Sequence, residues 1–367
     1  MARIIYGVAG EGFGHSSRSH LIGQHLIEAG NDVMFVASRK AYTYLKHYFD
    51  SRVREIFGLS LVFSDRRLSC VKTVATNLKN FRRCYPETAN FVSQSFDAFS
   101  PDLVISDFEP FSAWWAWYNK IPFVSIDHEH ILTGCKLKHD LRDWYPRLTS
   151  ALVTRGHYFG ASAYVVLNFF HASVKNDSIN LVPPVVRPIV HSYESVRDEH
   201  ILVYSSDRTG RERLLRTLQS APDYRFYIYG YNESSEVVNC VFKPTSTEGF
   251  LEDLASCRGV IATAGFSLIS ECLHFKKRML LLPIMGQYEQ MVNGRYVEAL
   301  GLGLSHNRFD AGVLGEFLDS VDEPLGADQR IIWPDNEVFF QRLHRVLSEI
   351  DTKADVATPR EPVLAIE

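Results

Sequence analysis

The chain has 367 residues, 46% of them hydrophobic and 22% charged, a soluble composition on a length that favours two domains over one. Its formal net charge of -4 gives no sign of a protein that binds nucleic acid as a whole, though it still allows a local basic patch. Six scattered cysteines (Cys70, Cys84, Cys135, Cys240, Cys257, Cys272) form no CxxC pair, which speaks against a zinc site or a disulfide framework and for a reduced, cytoplasmic setting.

Met1 leads almost directly into an apolar run, so no signal peptide is expected. No apolar stretch approaches the ~20 residues that span a bilayer. Arg3 to Val8 is short, apolar and β-branched, and predicts a buried strand. Ser16 to Ala29 predicts a helix, with Ile22, Leu26 and Ala29 at helical spacing and Gly30 as the stop. Asp32 to Ala37 is the next strand, completing a βαβ unit and hence a parallel sheet. Thr73 to Phe99 mixes Lys79, Arg82 and Arg83 with phenylalanines, and is read as an amphipathic helical region with a solvated basic face. The βαβ pattern recurs at Asp102 to Ser106, a helix rich in tryptophan (Trp114, Trp115, Trp117) expected to pack in the core, and Pro122 to Ile126. Tyr164 to Leu167 adds a further strand.

Asn180 to Val190, with three prolines, predicts an extended, stiff connection. Strands follow at Ile201 to Tyr204 and Arg225 to Tyr229, with a helix between them, and Phe250 to Ile284 reads helix, strand, helix, strand. A last helix is expected over Asn336 to Ile350, then a loose polar tail. The fold class is therefore α/β, with two Rossmann-like, doubly wound parallel-sheet domains facing across a cleft. The expected division is residues 1–182, a linker at 183–197, and residues 198–332, with the helix at 336–350 packing back on the first domain. In such sheets ligands bind at the carboxyl ends of the strands.

The loop after the first strand, Gly10-Glu11-Gly12-Phe13-Gly14-His15, differs from a dinucleotide fingerprint. His15 stands where the third glycine would be, and the second strand ends Ala37-Ser38-Arg39 without an acid. No Gly-Lys-Ser/Thr of a phosphate loop is present. His15 at the mouth of a helix suits a general base, because histidine titrates near neutrality. A carboxylate on its other ring nitrogen would orient it. Asp107, just after the strand "LVIS", is the candidate for that part, with Glu11 and Glu109 as rivals, and the plain alternative is a capping or packing role for His15.

In the second half a strand ends at Ala264-Gly265 and a helix opens at Ser267, so free N–H groups and the positive end of the helix dipole suit a diphosphate. Glu271, one turn further, can accept two ribose hydroxyls; Gln287, Glu289 and Gln290 can read the hydroxyls of a sugar. Asp127, His128, Glu129 and His130 follow another strand; alternating His, Glu and His could bind a metal, but a lone H-x-H is a weak signal, and Asp127, His128 and His130 are read as cleft wall and acceptor contacts.

These motifs resemble GT-B glycosyltransferases of the inverting, metal-independent kind. They are similar to the peptidoglycan N-acetylglucosaminyl transferase and to UDP-glycosyltransferases. The nearest likeness is to a bacterial and archaeal group with "GEGxGH" near the N-terminus and an "ISE…EQ" pattern near the C-terminus. The matching residues are Gly10 to His15, Gly265 to Glu271, Pro283, Glu289-Gln290, Asn293 and Gly301 to Gly303. Ala264 departs from the usual glycine pair, and Lys276-Lys277 replaces a Gly-Lys, where a surface turn is expected.

The resemblance implies that Gly265, Phe266 and Ser267 hold a donor diphosphate approached by Ser205 and Ser206, with Glu271 on the ribose. It implies Gln287, Glu289 and Gln290 on the donor sugar, His15 as base, Asp107 as its orienter, and Gly12, Phe13 and Gly14 against the acceptor. The implied donor is a nucleotide sugar, uridine-linked, with no metal or other cofactor. The acceptor stays open between a glycan, a lipid-linked intermediate, a small hydroxylated molecule and a nucleic acid. The expected setting is cytoplasmic, with peripheral contact at the inner membrane face. Two alternatives share the architecture: a sugar-nucleotide epimerase and a non-catalytic nucleotide-sugar-binding protein.

Overall fold

The computed structural model describes residues 1–10, 12–58, 63–64, 67–68, 75–77, 79, 90–157, 160–205 and 210–354. The expectation for Thr73 to Phe99 falls partly outside them, Arg82 and Arg83 included, while residues 90–99 are helical as expected. The first sheet holds β1 (Arg3–Val8), β2 (Asp32–Ala37), β3 (Val53–Glu55), β4 (Leu103–Asp107), β5 (Phe123–Asp127), β6 (Ala163–Leu167) and β7 (Ile179–Val182). Its spatial order is β7-β6-β5-β4-β1-β2-β3, and every pairing is parallel. The second sheet holds β8 (His200–Tyr204), β9 (Arg225–Tyr229), β10 (Ser235–Val237), β11 (Cys240–Phe242), β12 (Gly259–Ala262), β13 (Arg278–Leu281) and β14 (Gly303–Ser305). Its order is β10-β11-β9-β8-β12-β13-β14, parallel except for the antiparallel β10–β11 edge. Each sheet thus reverses its winding beside its own first strand, between β1 and β4 and between β8 and β12. That crevice is where doubly wound folds place ligands.

Helices that bear on the site and its surroundings are α1 (Phe13–Glu28), α2 (Arg39–Phe49), α3 (Pro110–Tyr118), α4 (Trp144–His157), α5 (Arg211–Gln219), α6 (Thr247–Ser256), α7 (Phe266–His274), α8 (Tyr288–Ala299), α9 (Ala311–Ser320) and α10 (Asn336–Ala354). The central strands β4 and β5 are buried along their whole length, as a sheet covered on both faces requires, so their carboxyl ends deliver the buried polar residues Ser106, Asp107 and Asp127.

Several boundaries differ from the sequence reading. α1 begins at Phe13 rather than Ser16, because Gly12 takes φ 84° as the residue before the helix and lets Gly14 and His15 enter its first turn. Ile179–Val182, the start of the stretch read as linker, pairs with β6 as an edge strand; the three prolines come after it. Trp114 and Trp115 are half-buried, but Trp117 is 58% exposed, so the tryptophans do not form one core cluster. Lys276 is exposed in a turn at φ 56°, as expected, and lies over the Trp333 ring at 3.1 Å, but Lys277 beside it is buried and donates to the Val196 carbonyl.

α10 returns to the first sheet. Arg342 donates to the Leu181 carbonyl at 2.6 Å, and the His25 ring stacks on Phe340 with centroids 3.7 Å apart. The two halves also meet directly: Phe170 stacks flat on Tyr296 at 3.6 Å, and His128 stacks on Phe266 at 4.0 Å.

Candidate active site

The site is built on the first turns of α1. His15, Arg18 and Ser19 stand at i, i+3 and i+4, hence on one face of the helix, and that face meets the end of β4. Asp107 there is fully buried and its carboxylate is gripped by all three side chains. His15 Nδ1 donates to Oδ1 at 2.7 Å. Arg18 donates from Nη2 to Oδ1 at 2.6 Å and from Nε to Oδ2 at 2.8 Å, and Ser19 Oγ donates to Oδ2 at 3.0 Å. Burial works against the Asp107 charge, but Arg18 and then His15 overcome it and hold the carboxyl below its usual range.

The rivals for the partner of His15 separate. Glu109 spends both carboxylate oxygens capping α3 through the N–H groups of Phe111 and Ser112, each at 2.8 Å. Glu11 lies outside the described residues. Across the His15 ring, Nε2 stands 3.3 Å from Glu129 Oε1. Burial lowers the imidazolium's stability, but the carboxylates of Glu129 and Asp107 outweigh it and raise the His15 pKa to about 9. Arg18 Nη2, 3.1 Å from Nδ1, pulls the other way. A protonated imidazole here is paired on both sides.

Opposite stands the start of α7. The Ser267 side chain packs against Gly14, where a β-carbon would overlap its Oγ. Gly265, the residue before α7, has open space where its β-carbon would be, and no side chain caps the helix. A pocket lined by Ser17, Arg18, Arg187, Phe266, Ser267 and Glu271 joins this helix start to α1. Glu271 is buried there, and Arg187 from the connecting segment reaches its Oε1 with Nε at 2.9 Å and Nη2 at 2.8 Å. Burial raises the Glu271 pKa, and Arg187 counters it. A second pocket sits at the winding reversal of the second sheet, where Ser205, Thr263 and Leu282 follow β8, β12 and β13. Ser206 lies outside the described residues.

The residues expected on a sugar divide. Glu289 is half-buried in the first turn of α8, where burial, and then Glu129, push its carboxyl up. Gln290 is turned to its own loop, accepting from Ile284 N at 3.0 Å and donating to Gln287 Oε1 at 2.6 Å, so it shapes the turn that carries Gln287 and Glu289.

The residues expected to touch an acceptor divide too. Phe13 is exposed at the cleft mouth and stacks edge-on against Tyr44, beside Gly12 and Gly14. Asp127, His128 and His130 are instead buried and occupied. Asp127 and His130 pair at 2.7 Å, and although burial opposes it, His130 draws the aspartate below its usual range. His128 places Nδ1 2.8 Å from the Leu167 carbonyl and Nε2 2.9 Å from Asn293 Oδ1, pinning the two halves together. Among the described residues no group of three or more histidine, cysteine, aspartate or glutamate side chains is arranged to hold a metal ion.

Arg18 and Ser19 at the centre are additions to the sequence reading, and Glu129, weighed there only as part of a metal-binding pattern, stands instead beside His15. Arg18 and Ser19 join His15 as its i+3 and i+4 companions because the helix starts at Phe13. Glu129 carried no signal beyond its place between two histidines.

Comparison with known proteins gives one family. The model of glycosyl transferase family 1 matches residues 2–322. No curated protein matches the sequence. Among solved structures, the chain is similar to MurG of Acinetobacter baumannii, at TM-score 0.57 and 12% identity over 95% of this chain and 100% of that one. It is similar to UGT2 of Phytolacca americana, solved with UDP-2-fluoro-glucose and pterostilbene, at TM-score 0.62 and 12% identity over 96% and 99%. CalG4, the calicheamicin glycosyltransferase, gives TM-score 0.59 and 14% identity over 96% and 94%. At such identities the likeness is one of fold, the two-domain GT-B arrangement.

Proposed function

The chain belongs to glycosyl transferase family 1 and is a glycosyltransferase; from that premise we propose that it moves a sugar, with inversion and without a metal, from a uridine-linked nucleotide donor to an acceptor hydroxyl. The observation that carries this reading is His15, held through Nδ1 by Asp107 with Nε2 turned to Glu129, on the helix whose Gly14 packs against Ser267 at the start of α7.

In the neutral imidazole the proton on Nδ1 is fixed by Asp107, which leaves Nε2 to accept a proton. An acceptor hydroxyl that takes the place of Glu129 at Nε2 would give its proton to the ring as its oxygen attacks the anomeric carbon. Charge then grows on the departing diphosphate. The free N–H groups of Phe266 and Ser267 and the dipole of α7 are placed to stabilise it. Both contacts of Arg187 fall on one oxygen of Glu271, so ribose hydroxyls would take the other. Glu289 and Gln287 would read the donor sugar, Phe13 and Glu129 the acceptor. The UDP-sugar bound to the Phytolacca americana enzyme supports the uridine nucleotide, and the differing acceptors in the neighbours' names leave the acceptor class broad. A glycan, a lipid-linked intermediate or a small hydroxylated molecule fits the open mouth.

The test is incubation of each UDP-sugar with and without candidate acceptors. The expected result is acceptor-dependent release of UDP, with a product whose anomeric configuration, read by NMR, is opposite to the donor's. Retention of configuration, or an isomerised donor formed without acceptor, would overturn the proposal.

A further inference from the structure

α4 is built inside out. Its buried side is polar, with Thr154 and the preceding Asp143, whereas Trp144, Leu148 and Leu152 are 65%, 50% and 61% exposed. These three stand at i, i+4 and i+8 and form one stripe. Leu141, in the turn before the helix, is 92% exposed and extends it. Burying such a stripe is favourable by the hydrophobic effect, so its exposure marks a surface that meets something.

The charges on the helix itself have one sign. From Trp144 to His157 the charged side chains are Arg147 and Arg155, both exposed, and there is no carboxylate. Of the two carboxylates just before, Asp143 is turned inward to an ion pair with Arg295, and Asp140 caps its own turn through Arg142 N. Lys175 joins the arginines: burial, and then Arg155 and Arg147, weaken its hold on its proton. This cationic cluster lies on a chain whose net charge is negative.

We propose that the exposed face of α4 docks the protein on an anionic phospholipid bilayer. A second copy of the chain fits less well, because a two-fold contact would set Arg147, Arg155 and Lys175 against their own copies. An apolar stripe with tryptophan at one end and arginines at its margins is the pattern of a helix lying in the interfacial plane. Among the described residues no helix is long and apolar enough to cross a membrane, so contact through this helix would be peripheral. The docking face is fixed to the cleft. Asp143 pairs with Arg295 on α8, and His139 Nδ1 is hydrogen-bonded to Tyr288 Oη at 2.8 Å, one residue from Glu289. Docking would bring the mouth of the cleft to the bilayer surface. The proposal concerns binding and stands apart from the reaction assigned above.

The experiment is flotation of the full chain with vesicles of phosphatidylcholine alone and of phosphatidylcholine mixed with phosphatidylglycerol. The expected result is flotation with the mixed vesicles only, weakened by salt and by roughly fivefold in partition for each arginine removed in Arg147→Gln and Arg155→Gln. The combined Trp144→Ser, Leu148→Ser and Leu152→Ser variant, confirmed folded by thermal melting, should stay at the bottom. Failure of the native chain to float, or flotation unchanged in both sets of variants, would overturn the proposal. So would a native dimer that the serine variant converts to a monomer, with no flotation in either.

Discussion

Replacing Glu129 by glutamine keeps the shape of the side chain and removes its charge from beside His15. At 3.3 Å from Nε2, that charge interacts with the imidazolium by roughly 1 kcal/mol at the dielectric constant of water and about 5 kcal/mol at an effective value of 20. Those limits correspond to between about one and about four pH units in the titration of His15. The native pKa of about 9 reflects burial, Glu129, Asp107 and Arg18 together, so the lower half of that range is the fitting expectation. The assay is kcat/KM for transfer against pH, which reports groups of the free enzyme. In the native enzyme the base must lose a proton to act, so kcat/KM should rise with pH to a plateau above about 9. In Glu129→Gln the midpoint of that rise should fall by one unit or more, toward the ordinary histidine range. Near pH 7 the neutral fraction of His15 would then grow by about tenfold for each unit of the shift. A midpoint that stays put, or moves upward, would refute the electrostatic reasoning and with it the assignment of His15 as the titrating base.

Arg18→Met should shift the same limb upward, opposite to Glu129→Gln, because Arg18 opposes the proton on His15. It should also lower the melting temperature, since losing one partner of a buried ion pair costs about 3–5 kcal/mol; a limb that moves down would contradict it. Glu271→Ala should abolish the rise in melting temperature that UDP gives the native chain, which is ~2.7 kcal/mol at a hundredfold excess over the dissociation constant. The comparison is with the variant's own ligand-free melt, because Arg187 loses its partner in that variant. An unchanged UDP shift would remove Glu271 from the donor site.

The parallel, doubly wound character of both sheets follows from patterns readable in the chain: buried apolar runs at Arg3 to Val8 and Ile201 to Tyr204, each followed by a glycine- or serine-rich loop and a helix. The pairing of His15 with Asp107 was legible for the same reason, since β1 and β4 are neighbours with Val8 opposite Asp107. Arg18 was hidden because a charged residue on a surface-type helix reads as solvent-facing, and only the carboxylate waiting at the end of β4 makes its burial favourable. Glu129 was hidden because the direction of a side chain in the turn leaving a strand is set by the backbone of that turn. His128 and His130, on either side, are turned inward to Asn293 and Asp127. The Arg187–Glu271 pair joins residues 84 apart in sequence, and local pattern says nothing of such meetings. The exposed stripe on α4 has a helical period and would ordinarily be read as core; only the fold shows which side faces out.

The most direct test of the central claim is His15→Asn, assayed for transfer and for UDP binding in parallel. The account predicts that transfer falls by roughly 100- to 10,000-fold, the usual weight of a positioned general base, while the UDP-dependent rise in melting temperature is retained. Transfer within about threefold of native, well inside that usual weight, would show that the proton leaves by another route and that His15 is not the base.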